Sequence, residues 1–378
     1  MRTLPLVGIT VVSLEQAVAA PFATRQLADL GARVIKVERD SGDFARDYDN
    51  KVRGMSSYFV WLNRNKESIV LDLKSTAGME ALKKLVTRAD VFVQNLAPGA
   101  VDRLGLSPTD ALEINPNLIY ASISGYGTDG PFGNKKAYDL LTQCESGLLS
   151  VTGTPDEPAK VGISVADIAA GMYTYSGILA SLFHRQRTGK GEVLEVTMLD
   201  ALGEWMMQPY FYAEYGGVQQ ERSGAHHATI APYGPFPTAD GTVFFGIQNE
   251  REWKVFCNQV MRSNELFEDD RFRGNSSRVA HRPALHQEIA LVLESLSVDE
   301  VLSRLDLAGI ANAKLRNMHE FSAHPQLQAR DRWRDVDSPV GRLRTLLPPV
   351  IGSNTEYRMD RIPEIGADTK QILAELGQ

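Results

Sequence analysis

The stretch GITVVSLEQAVAAPFATRQLADLGARVIKVE, residues 8–38, decides the fold class. GITVVSL (8–14) reads as a strand, PFATRQLADLG (21–31) as a helix with Pro21 near its first turn and Gly31 as its stop, and ARVIKVE (32–38) as a second strand. The alternation continues with SIVLDL (68–73), a helix over 76–89, DVFVQNL (90–96), LIYASISGYG (118–127) and EVLEVTML (192–199), which leads into a helix over 200–216. Strands alternating with helices pair in parallel, so the expected class is α/β with a doubly wound sheet.

From residue 217 the character changes. GVQQERSGAHHATIAPYGPFPTADG (217–241) reads as a long connection, TVFFGIQ (242–248) as a strand, and helical segments follow to about Leu307. Three segments are expected: a large domain over 1–216, a linker and small α+β domain over 217–325, and a return to the large domain over 326–378. The tail carries a strand and a last helix, TKQILAELG.

The net charge of −7 argues against wholesale nucleic-acid binding. Two cysteines, Cys144 and Cys257, give neither a metal spacing nor a disulfide framework and fit a reducing cytosol. The first residues show no basic segment followed by an apolar run, so no secretory leader is expected. The apolar run Ile168–Phe183 is shorter than the roughly 20 residues a membrane span needs.

Several motifs fail. Glu38 ends the second strand where a ribose-binding acid would sit, yet the first turn, SLEQAVAAP, lacks the G-x-G-x-x-G on which a nicotinamide site depends. SGYGTDGP (124–131) lacks the Lys-Ser/Thr ending of a phosphate loop, and VGISVAD has no second glycine to make Ser164 a nucleophile elbow. The histidines show no H-E-x-x-H, the adjacent pair His226–His227 need not face one site, and no metal is expected. One carboxylate stands out. Ser164 and Asp167 both lie just ahead of the run Ile168–Phe183 as candidate N-caps, and Asp167 is either the cap of a helix or a group with chemistry, the two being compatible. Arg39, Lys74, Arg103, Lys135 and Lys136 fall at strand ends and loops, where an open α/β sheet places its ligand; together they suit a polyphosphate.

The order and spacing of LADLGARVIKVER (27–39), YFVWLNRNKESIVLDLKS (58–75), ADVFVQNLAPGAVDRLGL (89–106), ISGYGTDGP (123–131), AYDLLTQCESGLLSVTG (137–153) and VADIAAGMYTYSGILASLFHRQRTGKGEVLEVTMLDA (165–201) carry a resemblance over nearly the whole chain. The chain resembles the family III CoA-transferases, of which formyl-CoA transferase is the best-known member. The resemblance implies a Rossmann-like large lobe, a smaller lobe and an interlocked homodimer. It implies that Asp167 is the nucleophile. It places coenzyme A, a cosubstrate rather than a resident cofactor, on Val18, Ala19, Arg39, Leu71, Lys74, Asn95, Leu96, Arg103, Lys136 and Tyr138.

Within the same superfamily, 2-methylacyl-CoA racemases carry a G-H-D block; here it reads Ala137-Tyr138-Asp139, and a tyrosine is a weak acid–base group at neutral pH. A non-catalytic binder of CoA esters is the other rival, against which the intact Asp167 block speaks. The glycine run of formyl-CoA transferase is absent from ERSGAHHATIAPYGPF, so formate–oxalate exchange is not expected. The expected reaction moves CoA from succinyl-CoA to a small dicarboxylate such as itaconate or mesaconate, with carnitine-type acceptors the next choice. Arg46, Tyr48, His226 and His227 are candidates to hold the second carboxylate.

Overall fold

The computed structural model describes residues 4–377; the outermost ends of the first and last expected segments, 1–3 and 378, lie outside the described residues. Six strands form one sheet: β1 (Thr10–Leu14), β2 (Arg33–Glu38), β3 (Lys66–Val70), β4 (Val91–Gln94), β5 (Ile119–Ser124) and β6 (Glu192–Thr197). Their order is β3-β2-β1-β4-β5-β6, and every pairing is parallel. The expected parallel α/β sheet is present.

The central strands are buried on both faces, which explains their unbroken apolar runs. Val11 and Val12 of β1 and Val91, Phe92 and Val93 of β4 have no exposed surface. One face packs on α1 (Ala19–Asp29), through Leu27 and Ala28, and on the long helix Val165–Thr188, through Ala169, Ala170 and Ile178. The other packs on α2 (Thr76–Arg88), through Leu82, Leu85 and Val86, and on the last helix, Thr369–Glu375, through Ile372. The order reverses between β1 and β4, so a crevice opens beyond their carboxyl ends.

The third strand begins two residues before the expected 68. The pattern of apolar residues hides it because its first residue is Lys66. That ammonium is buried beside the buried Glu15 carboxylate at 2.6 Å. The expected helix 200–216 is two helices, Met198–Trp205 and Met207–Gly216. Pro209 accounts for the break: it has no N–H for a continuous helix but is tolerated in the first turn of a new one.

The chain divides into two compact units. The first holds the chain up to Leu148, Val161–Gln208 and the chain from Leu327; the second holds Leu149–Lys160 and Pro209–Gln326. The second unit has a three-stranded sheet, β7 (Tyr233–Pro237), β8 (Thr242–Gly246) and β9 (Asn312–Lys314), with antiparallel pairing and a core of Trp253, Phe256, Phe272, Leu285 and Ile289. β7 lies inside the stretch read as a long connection. Pro235 and Pro237 obscure it, and as an edge strand it tolerates them. In the first unit, β10 (Trp333–Val336) and β11 (Leu343–Leu346) form a hairpin. Among the described residues no helix is long and apolar enough to cross a membrane.

Candidate functional site

Asp167 does not start its helix. The helix runs Val165–Thr188 with Ser164 at its N-cap, and Ser164 makes no side-chain capping bond. The capping carboxylate comes instead from Asp139, first residue of α3 (Asp139–Glu145). Asp139 Oδ1 accepts the N–H of Ala166 at 2.8 Å and of Asp167 at 3.4 Å. Asp139 Oδ2 is held by Gln143 Nε2 at 2.7 Å, and Gln143 Oε1 accepts the Val161 N–H at 3.0 Å. With the orphan donors of the helix start satisfied by Asp139, the Asp167 side chain is left for other work.

That side chain is half-buried and lies by the start of α1, where the Ala19 N–H favours its ionised form. Burial, and then the like charge of Asp139, push its carboxyl up to about 7; the Ala19 N–H opposes them. A carboxylate poised near neutrality is ionised in part and strongly nucleophilic when ionised. The approach of the two helices depends on Gly171, one turn after Asp167. A Cβ there would stand 2.7 Å from the Ala19 carbonyl oxygen.

The loop before Ala19 is clamped. The Gln16 N–H donates to Asn95 Oδ1 at 2.8 Å, and Asn95 Nδ2 donates back to the Gln16 carbonyl at 2.8 Å. This bonds the carboxyl ends of β1 and β4 across the crevice. Tyr48 and Tyr138 are exposed, and the charge of Asp167 reaches Tyr48. Burial, followed by the charges of Asp43 and Asp167, raises the Tyr48 phenol to about 12, so it remains a donor.

The residues expected to hold coenzyme A sit at the carboxyl ends of adjacent strands. Val18 and Ala19 follow β1 and are buried; Arg39 follows β2 and is exposed. Leu71 and Lys74 follow β3, the first buried and the second exposed. Asn95 and Leu96 follow β4, and Leu96 packs against the core. Arg103 ends the short helix Ala100–Arg103 and is exposed; Lys136 and Tyr138 precede α3 and are exposed. Arg39 Nε donates to the Gly42 carbonyl at 3.0 Å.

Arg46 is not available as an acid-binding group. Its guanidinium meets both oxygens of Glu38, at 2.9 and 2.7 Å, and lies 3.7 Å from the Phe59 ring centroid. His226 and His227 belong to the second unit, where the His226 ring lies tilted against His286 with centroids 4.5 Å apart and His227 stacks on Tyr233 at 5.2 Å. Among the described residues no group of three or more His, Cys, Asp or Glu is placed to hold a metal ion. Sequence reasoning missed the capping role of Asp139, whereas Gly171 belongs to the small-residue setting, with Ala166, Ala169 and Ala170, that it expected to permit close approach. Asp139 stands in the quoted AYD block, and a polar residue ahead of a helix whose own cap is idle is the signal that would have found it.

A family model described as CoA-transferase family III matches residues 6–369. The chain is similar to "Succinate--glutarate CoA-transferase" of Agrobacterium fabrum, 34% identical over 99% of this chain and 96% of that one. It is also similar to "Succinyl-CoA:mesaconate CoA-transferase" of Haloarcula hispanica, 33% identical over 88% and 85% of the two chains. Among solved structures, a CAIB/BAIF family protein from Brucella suis superposes with a TM-score of 0.88 at 33% identity, covering 100% of both chains.

Proposed function

The chain belongs to CoA-transferase family III, and from that premise we propose that it carries CoA from succinyl-CoA to a second C4–C6 dicarboxylate through covalent intermediates on Asp167. The observation that carries this reading is the Asp167 carboxyl, relieved of capping by Asp139, met by the Ala19 N–H and poised at about 7.

The ionised Asp167 attacks the thioester carbonyl of the donor. The C–S bond breaks, giving a mixed anhydride and CoA thiolate. The thiolate attacks the aspartyl carbonyl of the anhydride, which releases the donor acid and leaves an aspartyl-CoA thioester. The acceptor carboxylate attacks that thioester, forming a second anhydride and freeing the thiolate again. Attack of the thiolate on the acceptor acyl carbon yields the new CoA ester and restores Asp167. Overall one thioester is exchanged for another of similar energy, so no redox or nucleotide co-reactant enters. The Ala19 N–H is placed to stabilise charge on the aspartyl oxygens. The small side chains of Ala166, Ala169 and Ala170 let the reacting groups approach.

The names of the similar proteins support succinyl-CoA as donor and glutarate or mesaconate among acceptors; itaconate belongs to the same class. The exposed tyrosines Tyr48 and Tyr138 supply hydroxyls near Asp167 for the acceptor. Arg39, Lys74, Arg103 and Lys136 are the cations for the CoA phosphates. The working form is an interlocked homodimer; the exposed aromatic side chains Tyr210, Phe211 and Tyr215 of the second unit support a covered surface. A cytosolic setting suits the free thiols of Cys144 and Cys257.

The test is incubation of the purified protein with succinyl-CoA and a panel of free acids, with CoA esters read by mass spectrometry and Asp167→Ala run beside it. New dicarboxylate esters that vanish in the variant are expected. No new ester, with deuterium appearing at the α-carbon of a branched acyl-CoA, overturns the reading in favour of a racemase.

A further inference from the structure

Two residues before Ala19, Ala17 sits at φ +60°, in the left-handed region that alanine rarely adopts. Something must hold it there. The Ala17 N–H donates to Asp43 Oδ1 at 3.1 Å. The same oxygen accepts the Ala45 N–H at 2.9 Å, which is an ordinary cap for the turn Phe44–Asp47. The other oxygen accepts from Lys36 Nζ at 2.8 Å. Asp43 and Lys36 are both buried. Lys36 Nζ also donates to the Glu15 carbonyl at 3.3 Å, and the Asp43 N–H is held by Glu38 Oε1 at 3.0 Å. Capping a short turn accounts for the bond to Ala45. It accounts for neither the bond to Ala17, across the crevice loop, nor the buried ammonium behind it.

We propose that Asp43 is a positioning residue for the nucleophile: backed by Lys36, it fixes the left-handed turn at Ala17 and so aims the Ala19 N–H at the Asp167 carboxylate. This rests on the reading of Asp167 as the nucleophile. Gln16, one residue earlier, is held by Asn95 and Val18 by the first bond of α1, so losing the Asp43 bond loosens the turn at Ala17 between them without releasing the loop. A carboxylate that loses a donated N–H is easier to protonate and less fixed in direction.

Two variants of equal charge isolate the one bond. Asp43→Asn/Lys36→Met keeps an acceptor oxygen for Ala17; Asp43→Ala/Lys36→Met has none. The titration of Asp167 is read by infrared difference spectra, each variant against the same protein carrying Asp167→Asn as well. In the alanine variant the Asp167 titration is expected to move up by about one unit, because the N–H no longer favours the ion. Its kcat is expected to fall about 10–100-fold through misaim, with KM for the acyl-CoA within about twofold. The asparagine variant is expected to titrate close to the parent. Equal titrations in the two variants, or a fall in the alanine variant, overturn the proposal. If the alanine variant does not fold, Asp43→Ser/Lys36→Met, whose side chain is too short for Ala17, takes its place. The infrared reading needs no turnover. If Asp167→Ala still transfers CoA, the transfer mechanism fails while the titration still judges the positioning.

Discussion

Asp139 and Asp167 share one helix start and divide its duties: Asp139 Oδ1 accepts the Asp167 N–H at 3.4 Å and the Ala166 N–H at 2.8 Å, and the Asp167 carboxylate looks elsewhere. The negative charge that caps the helix also keeps the proton on Asp167 to higher pH. Asp139→Asn separates the two effects. The amide oxygen still accepts the cap N–H, but the like charge is gone. The Asp167 titration then moves down from about 7, and the acidic limb of the transfer rate against pH moves with it. A limb that stays or moves up counts against the charge coupling. Asp139→Ala loses the cap as well and is expected to cost about 1 kcal/mol of stability in denaturant unfolding.

Asp167 is a liability to the fold. Its native pKa of about 7 lies above the ordinary 3.8, so the native state binds the proton more tightly than the unfolded chain. Stability from this group is therefore whole below about pH 4 and declines as pH rises toward 7 and beyond. Asp167→Asn, which carries no such charge, is expected to be more stable than the parent at pH 8 by roughly 2 kcal/mol, discounted for partial exposure, with the gap closing toward pH 4. Paired melting curves at the two pH values measure it; a gap that is constant with pH is the contrary result.

Gly171→Ala puts a methyl group 2.7 Å from the Ala19 carbonyl oxygen, a backbone atom that cannot swing aside. The helix Val165–Thr188 and α1 must separate. A stability loss of about 1–3 kcal/mol is expected from the overpacking, with a loss of transfer rate in single-turnover experiments because Ala19 and Asp167 move apart. A variant with parental rate and melting point would show that the approach is looser than the packing indicates.

The buried charges beneath the loop form a second test. Glu15 accepts from Lys66 at 2.6 Å, from Thr24 at 2.5 Å and from Lys36 at 3.4 Å. Burial opposes its charge, but the two ammonium groups prevail and hold its carboxyl down to about 2. Lys66, in the same pair, is pulled down to about 8, because burial and the second ammonium of Lys36 outweigh Glu15. Glu15→Gln leaves an uncompensated buried ammonium and is expected to cost about 3–5 kcal/mol in denaturant unfolding. Glu15→Gln/Lys66→Met is expected to recover most of it. For Glu15 the pKa is lowered, so its contribution is present above its ordinary 4.5 and is lost as pH falls toward 2.

The parallel sheet was legible because its strands are buried on both faces and read as apolar runs; β1, β2, β4 and β5 fall where the runs in the sequence put them. β3 was misplaced because Lys66, buried against Glu15, looks like a surface residue to any hydrophobic pattern. β7 was hidden by prolines that only an edge position allows. At the site, the resemblance singled out Asp167, and its local reading as a helix cap is not met. Ser164 holds the N-cap position and Asp139, 28 residues before Asp167, does the capping. Arg46 was a candidate for the second carboxylate and is spent on Glu38, because a cation's partner 8 residues away in sequence leaves no periodic trace. The left-handed turn at Ala17 has no sequence signal at all, since glycine is what such a turn ordinarily calls for.

The most direct measurement of the central claim is peptide mass spectrometry after acid quench of the protein mixed with succinyl-CoA. The account predicts a peptide containing Asp167 heavier by CoA less one water, the aspartyl thioester, which disappears when glutarate is added before the quench. Transfer of CoA to glutarate with no adduct on Asp167 at any quench time, or with the adduct on another residue, would contradict it.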